Sequence, residues 1–315
     1  LRLCVKDAQE SPDIQLRMWN GGEHRYPMRL LGMHDGEAIY EAQVGVCEEP
    51  GLLWYRFEAE LHGEHIVLGA PADHTGCGEG VMGSEESFQI TVYDPEYDTP
   101  EWMREGVMYQ IMVDRFFHGQ GTDALTHAKD GQNIILHENW DEMPFLNIAE
   151  NGDNFANDFF GGNLEGVRQK LPYLKELGIG VVYLNPIVEA RSNHRYDTSD
   201  YSRPDPILGT MEDFEHLCAE GEKQGIRFIL DGVYSHTGAD SRYFNRCGNY
   251  GTDGACQGQD SEFYSWYDFR HFPDDYRCWW GFKDLPEVNE QNPKWQDDIV
   301  TGDRSIVKHW LRHGA

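Results

Sequence analysis

The sequence predicts a multidomain protein in which a β-sandwich at the N-terminus is followed by a parallel α/β domain. Residues 1–95 contain short runs of alternating apolar and polar residues separated by Gly, Asp and Asn turns, such as residues 37–46 (EAIYEAQVGV) and 52–61 (LLWYRFEAEL). A Pro- and Asp-rich stretch at residues 93–100 has no periodicity and indicates an exposed linker. Beyond it the pattern changes to strand followed by helix, which implies parallel strands covered by helices.

Three strand–helix units account for the α/β pattern. Their elements are a strand at residues 107–113, a helix at 164–177, a strand at 179–184, a helix at 211–224 and a strand at 227–230. Thr210 and Asp213 form a capping-box pattern before the second helix. A polar and aromatic segment, residues 239–293, interrupts this pattern as an inserted subdomain, and a last helix follows near residues 306–312. The predicted domains are residues 1–95, 96–238, 239–293 and 294–315.

The charge of the chain argues against nucleic acid and membranes as partners. Lys and Arg number 26 and Asp and Glu number 55, a formal net charge of −29 at pH 7, which repels polyanions and suits a neutral ligand. Because there is neither a membrane span nor a signal-peptide pattern, we expect a soluble, cytoplasmic protein, with secretion as the alternative. The seven cysteines form no CxxC pair and predict free thiols; a local disulfide among Cys247, Cys256 and Cys278 is the alternative for a secreted protein.

Polar side chains follow each predicted strand of the α/β domain. They are Asp114 and Arg115 after the first strand, Asn185, His194, Tyr196 and Asp197 after the second, and Asp231, Ser235 and His236 after the third. Ligands of parallel α/β folds gather at these carboxyl ends. Carboxylates and imidazoles bind sugar hydroxyls, and a tyrosine ring packs on the apolar face of a sugar, so the set favours a carbohydrate ligand. Taken singly, each Asp is more often a turn residue or a helix cap.

The inserted segment is rich in aromatic residues. Trp279 and Trp280, together with Tyr264, Trp266 and Tyr267, either form platforms that stack on sugars or fill a core. The sequence pattern favours neither interpretation.

Five strings in chain order carry a resemblance to a known family. They are residues 109–116 (YQIMVDRF), 159–166 (FFGGNLEG), 178–186 (GIGVVYLNP), 194–201 (HRYDTSDY) and 231–236 (DGVYSH), with residues 285–289 (LPEVN) as a further match. Together they resemble glycoside hydrolase family 13, the α-amylase family, in particular its neopullulanase, cyclomaltodextrinase and maltogenic amylase branch. The resemblance implies the first part of a (β/α)8 TIM barrel with an inserted domain B. The N-terminal sandwich fits the starch-binding module that precedes the barrel in this branch.

The resemblance implies roles for the residues after the second and third strands. Tyr196 would stack on the sugar on the non-reducing side of the cleaved bond, His236 would hydrogen-bond a hydroxyl of that sugar, and Asp231 would orient a later arginine. His194 and Asp197 are taken as further substrate-binding residues. The family's nucleophilic Asp, acid/base Glu and third Asp follow barrel strands four, five and seven. We therefore expect them after Ala315, and we expect residues 1–315 alone to be inactive.

The resemblance implies no required cofactor, and two departures weaken the case for calcium. Ser235 stands where the family usually has an Asn, which removes an amide ligand. Branch members also hold calcium between a loop after the first strand and the Asp of a Phe-Phe-Gly-Gly-Asp string. The counterparts here are Asp123 and Asn163, weak candidates because they offer fewer carboxylates to a hard cation. Branch relatives often dimerise through the sandwich, so a homodimer is expected.

The activity that the resemblance implies is retaining hydrolysis of α-glucans. The substrates would be α-1,4 bonds, with α-1,6 bonds as an extension, in maltooligosaccharides, cyclodextrins, pullulan or starch, cleaved by a two-step covalent mechanism. Two alternatives stay open: a glucanotransferase of the same fold, in which a sugar replaces water as the acceptor, and a non-catalytic glycan-binding protein. The intact Tyr196, Asp231 and His236 argue against the second.

Overall fold

The computed structural model describes residues 1–6, 12–45, 49–73, 79–120, 134–144 and 156–315. The chain forms two compact units, Leu1–Thr99 and Pro100–Ala315, where the sequence predicted a division after residue 95. Among the described residues, no helix has both the length and the apolar character that crossing a bilayer requires. The cysteines that the structure describes are free thiols, and Cys247, Cys256 and Cys278 are among them.

The described part of the first unit forms two antiparallel sheets. Its strands are β1 (Arg2–Lys6), β2 (Asp13–Trp19), β3 (Glu23–Pro27), β4 (Arg29–His34), β5 (Glu37–Glu41), β6 (Gly51–Leu61), β7 (Glu64–Gly69), β8 (Val81–Met82) and β9 (Phe88–Val92). One sheet has the order β1-β5-β4; the other has the order β3-β2-β6-β7-β8, and β9 also pairs with β6. Leu16 and Met18, alternate residues of β2, share a core with Ala38 and Tyr40 of β5. Two sheets that share one core are the arrangement expected of a β-sandwich.

The second unit contains the parallel sheet. Its elements are α1 (Glu101–Arg104), β10 (Val107–Ile111), β11 (Ile135–Leu136), β12 (Asp158–Phe159), α2 (Leu164–Gln169), α3 (Leu171–Glu176), β13 (Ile179–Leu184), β14 (Val188–Ala190), β15 (Thr198–Pro204), α4 (Met211–Gln224), β16 (Arg227–Leu230), β17 (Phe269–His271), β18 (Asp275–Tyr276), α5 (Pro293–Gln296) and α6 (Ile306–Arg312). Strands β10, β13 and β16 pair in parallel in this order. The predicted arrangement of three successive parallel strands is confirmed, and in the described part of the chain β10 and β16 are the edges of this sheet.

Burial on both faces identifies β13 as the central strand. Val181, Val182 and Leu184 are at most 1% exposed, as expected of a parallel strand with helices on both sides. Phe214 of α4 and Trp310 of α6 belong to the same core and meet edge to face, with ring centroids 5.1 Å apart. Helices α4 and α6 thus pack on the core that contains β13.

The sequence predicted four elements of this unit residue for residue. They are β13, α4, β16 and α6. Helix α4 begins with the predicted capping box, because Asp213 N–H donates to Thr210 Oγ1 at 3.2 Å and Thr210 N–H donates to Asp213 Oδ2 at 2.8 Å. The single helix predicted at residues 164–177 is instead two helices that meet at Lys170. Pro172 explains the break, since it has no N–H to donate and its ring clashes with the carbonyl group four residues earlier in a continuous helix.

The inserted segment, residues 239–293, is mostly loop and packs around aromatic side chains. Phe244 and Trp266 are at most 4% exposed. The segment returns to its starting point, where the Thr237 N–H donates to the Pro286 carbonyl at 3.1 Å. Both ends of the insertion therefore lie just beyond β16, beside the polar residues that follow this strand.

Candidate functional site

The loops that follow β13 and β16 meet at Tyr196. Its hydroxyl donates a hydrogen bond to Asp231 Oδ2 at 2.9 Å, and its carbonyl oxygen accepts one from His236 Nε2 at 3.2 Å. Asp231 directly follows β16, so one tyrosine connects the ends of two neighbouring parallel strands. The structure thus brings together three of the residues that the sequence placed at a binding site.

His194 and Asp197 belong to the same turn as Tyr196. The Tyr196 N–H donates to His194 Nδ1 at 3.1 Å, and because Nδ1 accepts this bond, the proton of the neutral imidazole lies on Nε2. Ser192 holds both oxygens of the Asp197 carboxylate, through its N–H at 3.2 Å and through its hydroxyl. The rings of His194 and Tyr196 lie 5.8 Å apart between centroids. All five predicted substrate-binding residues therefore lie on two adjoining loops.

Arg195 anchors this turn from inside the protein. Its φ of +61° is uncommon for a residue other than glycine, and its side chain is only 2% exposed. The guanidinium Nε donates to Asp205 Oδ2 at 3.2 Å, and Nη1 donates to the Asn193 carbonyl at 2.7 Å. With Arg195 directed inward, the neighbouring His194 and Tyr196 stay half-buried at the surface. Sequence reasoning missed this residue, because an arginine between two polar residues gives no sign of burial.

Burial sets the protonation states at the site. It lowers the pKa of His194 and of His236 below the ordinary value of 6.5, an effect that the Asp197 carboxylate opposes in part. Burial and the hydrogen bond to Asp231 raise the pKa of Tyr196 to about 12. At neutral pH both imidazoles are uncharged and the tyrosine hydroxyl keeps its proton. The uncharged imidazoles and the tyrosine hydroxyl can donate and accept hydrogen bonds, which suits a neutral polyhydroxylated ligand.

Acid is expected to destabilise the chain through the two imidazoles. Their pKa values are lower in the folded than in the unfolded chain, so the unfolded chain takes up protons first as the pH falls through about 6.5. The contribution to the free energy of unfolding is therefore complete above about pH 6.5 and is lost below it. Urea unfolding between about pH 7.5 and about pH 5 measures the loss. A His194→Gln, His236→Gln double variant should lose less stability than the wild type over this range, and an equal loss would contradict the assignment.

Asp114, after β10, has a structural role. It is fully buried, and its carboxylate accepts hydrogen bonds from the backbone N–H groups of Phe160 and Gly161, both at 3.1 Å, and from Arg115 at 2.9 Å. The Arg115 guanidinium also lies over the Phe160 ring, 4.4 Å from its centroid. These contacts fasten residues 159–162 to the end of β10. The ligand-facing position that the sequence suggested for Asp114 is therefore wrong, because backbone amides take up its carboxylate.

Asn163 does not have the contacts of a calcium ligand. Its carboxamide oxygen accepts hydrogen bonds from the N–H groups of Gly166 at 2.8 Å and Gly119 at 3.0 Å, and its amide donates to the Gly119 carbonyl at 3.0 Å. The side chain is buried, and two donors already occupy the oxygen that a cation would need. Asp123, the other candidate, lies outside the described residues, and the described residues contain no group of three or more His, Cys, Asp or Glu placed to hold a metal.

The five candidate aromatic residues of the inserted segment are a core pair, an exposed pair and Tyr264, which is half-buried and stacks on Phe269 with ring centroids 5.1 Å apart. Trp266 and Tyr267 are 4% exposed and belong to the core. Trp279 and Trp280 are 36% and 84% exposed, and the Trp279 ring lies 5.5 Å from the ring of His236 between centroids. Core filling therefore explains the first pair, whereas the second pair lies in the open beside the site.

Tyrosine, aspartate and histidine side chains thus cluster beyond the ends of parallel strands, which is where parallel α/β folds bind their ligands. Residues 110–315 match the family model described as "Alpha amylase, catalytic domain". The chain belongs to the alpha-amylase family, and the resemblance inferred from the sequence strings is confirmed.

The chain is similar to an amylopullulanase, a maltogenic amylase and a pullulan hydrolase. An amylopullulanase from Thermoanaerobacterium thermosulfurigenes is 38% identical over 307 residues, which cover 90% of this chain and 16% of that protein. The intracellular maltogenic amylase of Bacillus subtilis is 32% identical over 219 residues, covering 69% of this chain and 32% of the relative. The solved structure of the type III pullulan hydrolase from Thermococcus kodakarensis superposes with a TM-score of 0.56 at 25% identity, covering 100% of this chain and 51% of that one. The chain thus spans only part of the length of these relatives.

Proposed function

We propose that this chain provides the glucan-binding part of a retaining α-glucan hydrolase that cleaves α-1,4 bonds, with α-1,6 bonds as an additional substrate. The observation that carries the proposal is the contact between the two strand-end loops, in which Tyr196 binds Asp231 through its hydroxyl and His236 through its carbonyl oxygen. The names of the relatives support α-glucans as the substrate class.

Each residue of this contact has a chemical task in the proposal. The Tyr196 ring stacks on the apolar face of a glucose unit, and its bond to Asp231 fixes the orientation of the ring. The Nε2–H of His194 offers a neutral donor to a sugar hydroxyl. His236 holds the Tyr196 backbone in place through Nε2, and its Nδ1 lies 3.1 Å from Ser235 Oγ. A sugar hydroxyl that binds His236 therefore has to displace one of these two partners.

The cleavage step requires groups beyond those described above. Retaining glycosidases use a nucleophile and an acid/base carboxyl about 5–5.5 Å apart. The family resemblance places these after the fourth and fifth barrel strands, and the described part of the α/β unit supplies three parallel strands. We therefore propose that residues 1–315 bind α-glucan without hydrolysing it.

Calorimetry with maltoheptaose, combined with a reducing-sugar assay, tests both parts of the proposal on the 315-residue chain. The expected result is saturable binding with no release of reducing ends. Release of reducing ends would contradict the proposed location of the catalytic carboxylates, whereas absence of binding would contradict the site. For the protein that also carries the later strands, binding without hydrolysis would favour a glycan-binding protein, and longer oligomers formed from maltotriose would favour a transferase.

We further propose a starch-binding role for the first unit, a homodimer and a cytoplasmic location. On the larger sheet Trp19 and Trp54 are cross-strand partners, and both side chains are partly exposed, which supports a glycan-binding face. The free thiols of the described cysteines support a reducing compartment. Sedimentation of the chain at micromolar concentration tests the dimer.

A further inference from the structure

Three aromatic side chains in the inserted segment form an exposed stack, which we call the Trp280 platform: Trp279, Trp280 and Phe282. They are 36%, 84% and 57% exposed. The Trp279 and Trp280 rings are nearly parallel, at 17°, with centroids 5.2 Å apart, and Phe282 lies 6.3 Å from Trp279 at 27°. Contiguous exposed apolar surface of this kind marks a binding site more often than an isolated exposed residue does.

The backbone of Trp280, the most exposed residue of the platform, has an unfavourable conformation. Trp280 has φ 51° and ψ 22°, in the left-handed region that a bulky residue seldom occupies. Hydrogen bonds close the turn around it, from the Trp279 N–H to the Leu285 carbonyl and from the Phe282 N–H to the Trp279 carbonyl, both at 2.9 Å. A tryptophan is thus kept in strained backbone while most of its surface stays in water. Glycine would fit this conformation without strain, so the backbone alone does not explain a tryptophan here.

The platform is continuous with the site around Tyr196. Trp279 lies 5.5 Å from His236 between ring centroids, and His236 binds the Tyr196 carbonyl. The chain that leaves the platform pairs with the same histidine, since Glu287 and His236 form a β-bridge. The platform therefore begins beside His236, and the exposed fraction rises from 36% at Trp279 to 84% at Trp280.

The chemistry of the platform fits a sugar chain. Flat aromatic faces without charge bind the apolar face of a pyranose ring. The formal net charge of −29 on the chain disfavours nucleic acid and other polyanions as occupants. A glucan held at Tyr196 by one unit has further units of the same kind, and the platform offers them aromatic surface that begins at Trp279, beside His236.

We infer that the Trp280 platform binds additional glucose units of an α-glucan whose first unit is held at Tyr196, so that the protein prefers long oligosaccharides to short ones. This inference rests on the proposed function. It adds a length-selecting subsite on the inserted segment, with Trp280 as the residue that contacts the more distant units.

Calorimetric titration of the 315-residue chain with maltoheptaose and with maltotriose tests the platform. Trp280→Ala should weaken maltoheptaose binding about tenfold, because one stacked ring is lost, and should leave the maltotriose affinity within about twofold. Trp280→Phe should keep most of the affinity, since it retains a ring. Trp280→Gly relieves the backbone strain and should behave as Trp280→Ala does, which gives a second variant that folds if alanine is poorly accepted. Trp102→Ala, a tryptophan on α1 that is 41% exposed, is the matched control and should bind both sugars as the wild type does.

The outcomes separate this inference from the proposed function. If the wild type binds both sugars and the Trp280 variants bind maltoheptaose equally well, the platform inference alone is wrong. It is also wrong if the variants lose affinity for both sugars to the same extent, or if their main effect is a changed sedimentation coefficient, which would assign the platform to a protein interface. If the wild-type chain binds neither sugar, the proposed function fails first and the platform inference fails with it.

Discussion

Tyr196→Ala is expected to weaken the binding of maltotriose about 30-fold or more. The substitution removes the ring that stacks on the sugar, and truncation of a central aromatic contact typically costs about 2 kcal/mol or more. It also removes the hydroxyl that binds Asp231 at 2.9 Å. The Asp231 carboxylate then loses a donor at the end of β16, and the two strand-end loops lose one of their connections. Calorimetry of the purified chain measures the affinity.

Two further variants identify the source of this effect. Tyr196→Phe keeps the ring and loses only the hydroxyl, so its affinity should lie between those of the wild type and Tyr196→Ala. Tyr173→Ala removes a tyrosine on α3 that is 51% exposed and should bind maltotriose normally. If circular dichroism shows that the Tyr196→Ala chain is folded and the chain binds maltotriose as tightly as the wild type does, the proposed site has no basis.

Arg195→Ala is expected to lower the free energy of unfolding by about 3–5 kcal/mol, the range found when one partner of a buried ion pair is removed and the other remains. The side chains of Arg195 and Asp205 are 2% and 4% exposed, and their Nε to Oδ2 distance is 3.2 Å. Removal of the guanidinium takes one charged donor from the buried Asp205 carboxylate, which keeps the Ile207 N–H at 2.9 Å, and takes the Nη1 donor from the Asn193 carbonyl. Urea denaturation followed by tryptophan fluorescence gives the change. The variant should also bind maltotriose weakly, because His194 and Tyr196 flank the altered residue.

Comparison with two other arginine variants separates the ion pair from the backbone. Arg195→Gly loses the same ion pair but accepts the φ of +61° without strain, so it should be about 1 kcal/mol more stable than Arg195→Ala. Arg227→Ala breaks an exposed pair with Glu222 at 3.8 Å, which should cost less than about 1 kcal/mol. If Arg195→Ala and Arg227→Ala lose similar stability, the buried pair does not anchor the turn.

Local sequence signals were sufficient for the elements of the α/β unit whose ends are defined by nearby residues. Helix α4 has a capping box at Thr210 and a left-handed glycine, Gly225, immediately after its last residue, and strand β13 is a continuous apolar run. The sequence overestimated the strand that begins at Val107, because a 3₁₀ turn at Val113–Arg115 follows Ile111. That turn is stabilised by Asp114 contacts to residues 160 and 161, which are far away in sequence. Long-range contacts of this kind leave no periodic pattern.

The candidate site was predictable as a set of residues but not as an arrangement. The positions of Tyr196, Asp231 and His236 after successive strands placed them at the same edge of a parallel sheet, which the structure bears out in their contacts. Ser192, which binds the Asp197 carboxylate, was missed because an isolated serine in a loop gives no signal. The sequence also left two roles open for Trp279, since exposure depends on how the inserted segment folds back on the end of β16.

The inserted segment leaves the α/β unit and returns to it at one place. The Val288 N–H donates to the Ser235 carbonyl at 3.1 Å, so the points of departure and return are side by side. Phe244, Trp266 and Tyr267 of the segment belong to the same hydrophobic core as β13 and α4. A change of length in an exposed turn of the segment can therefore alter the surface beside His236, while the shared core keeps the parallel strands in register.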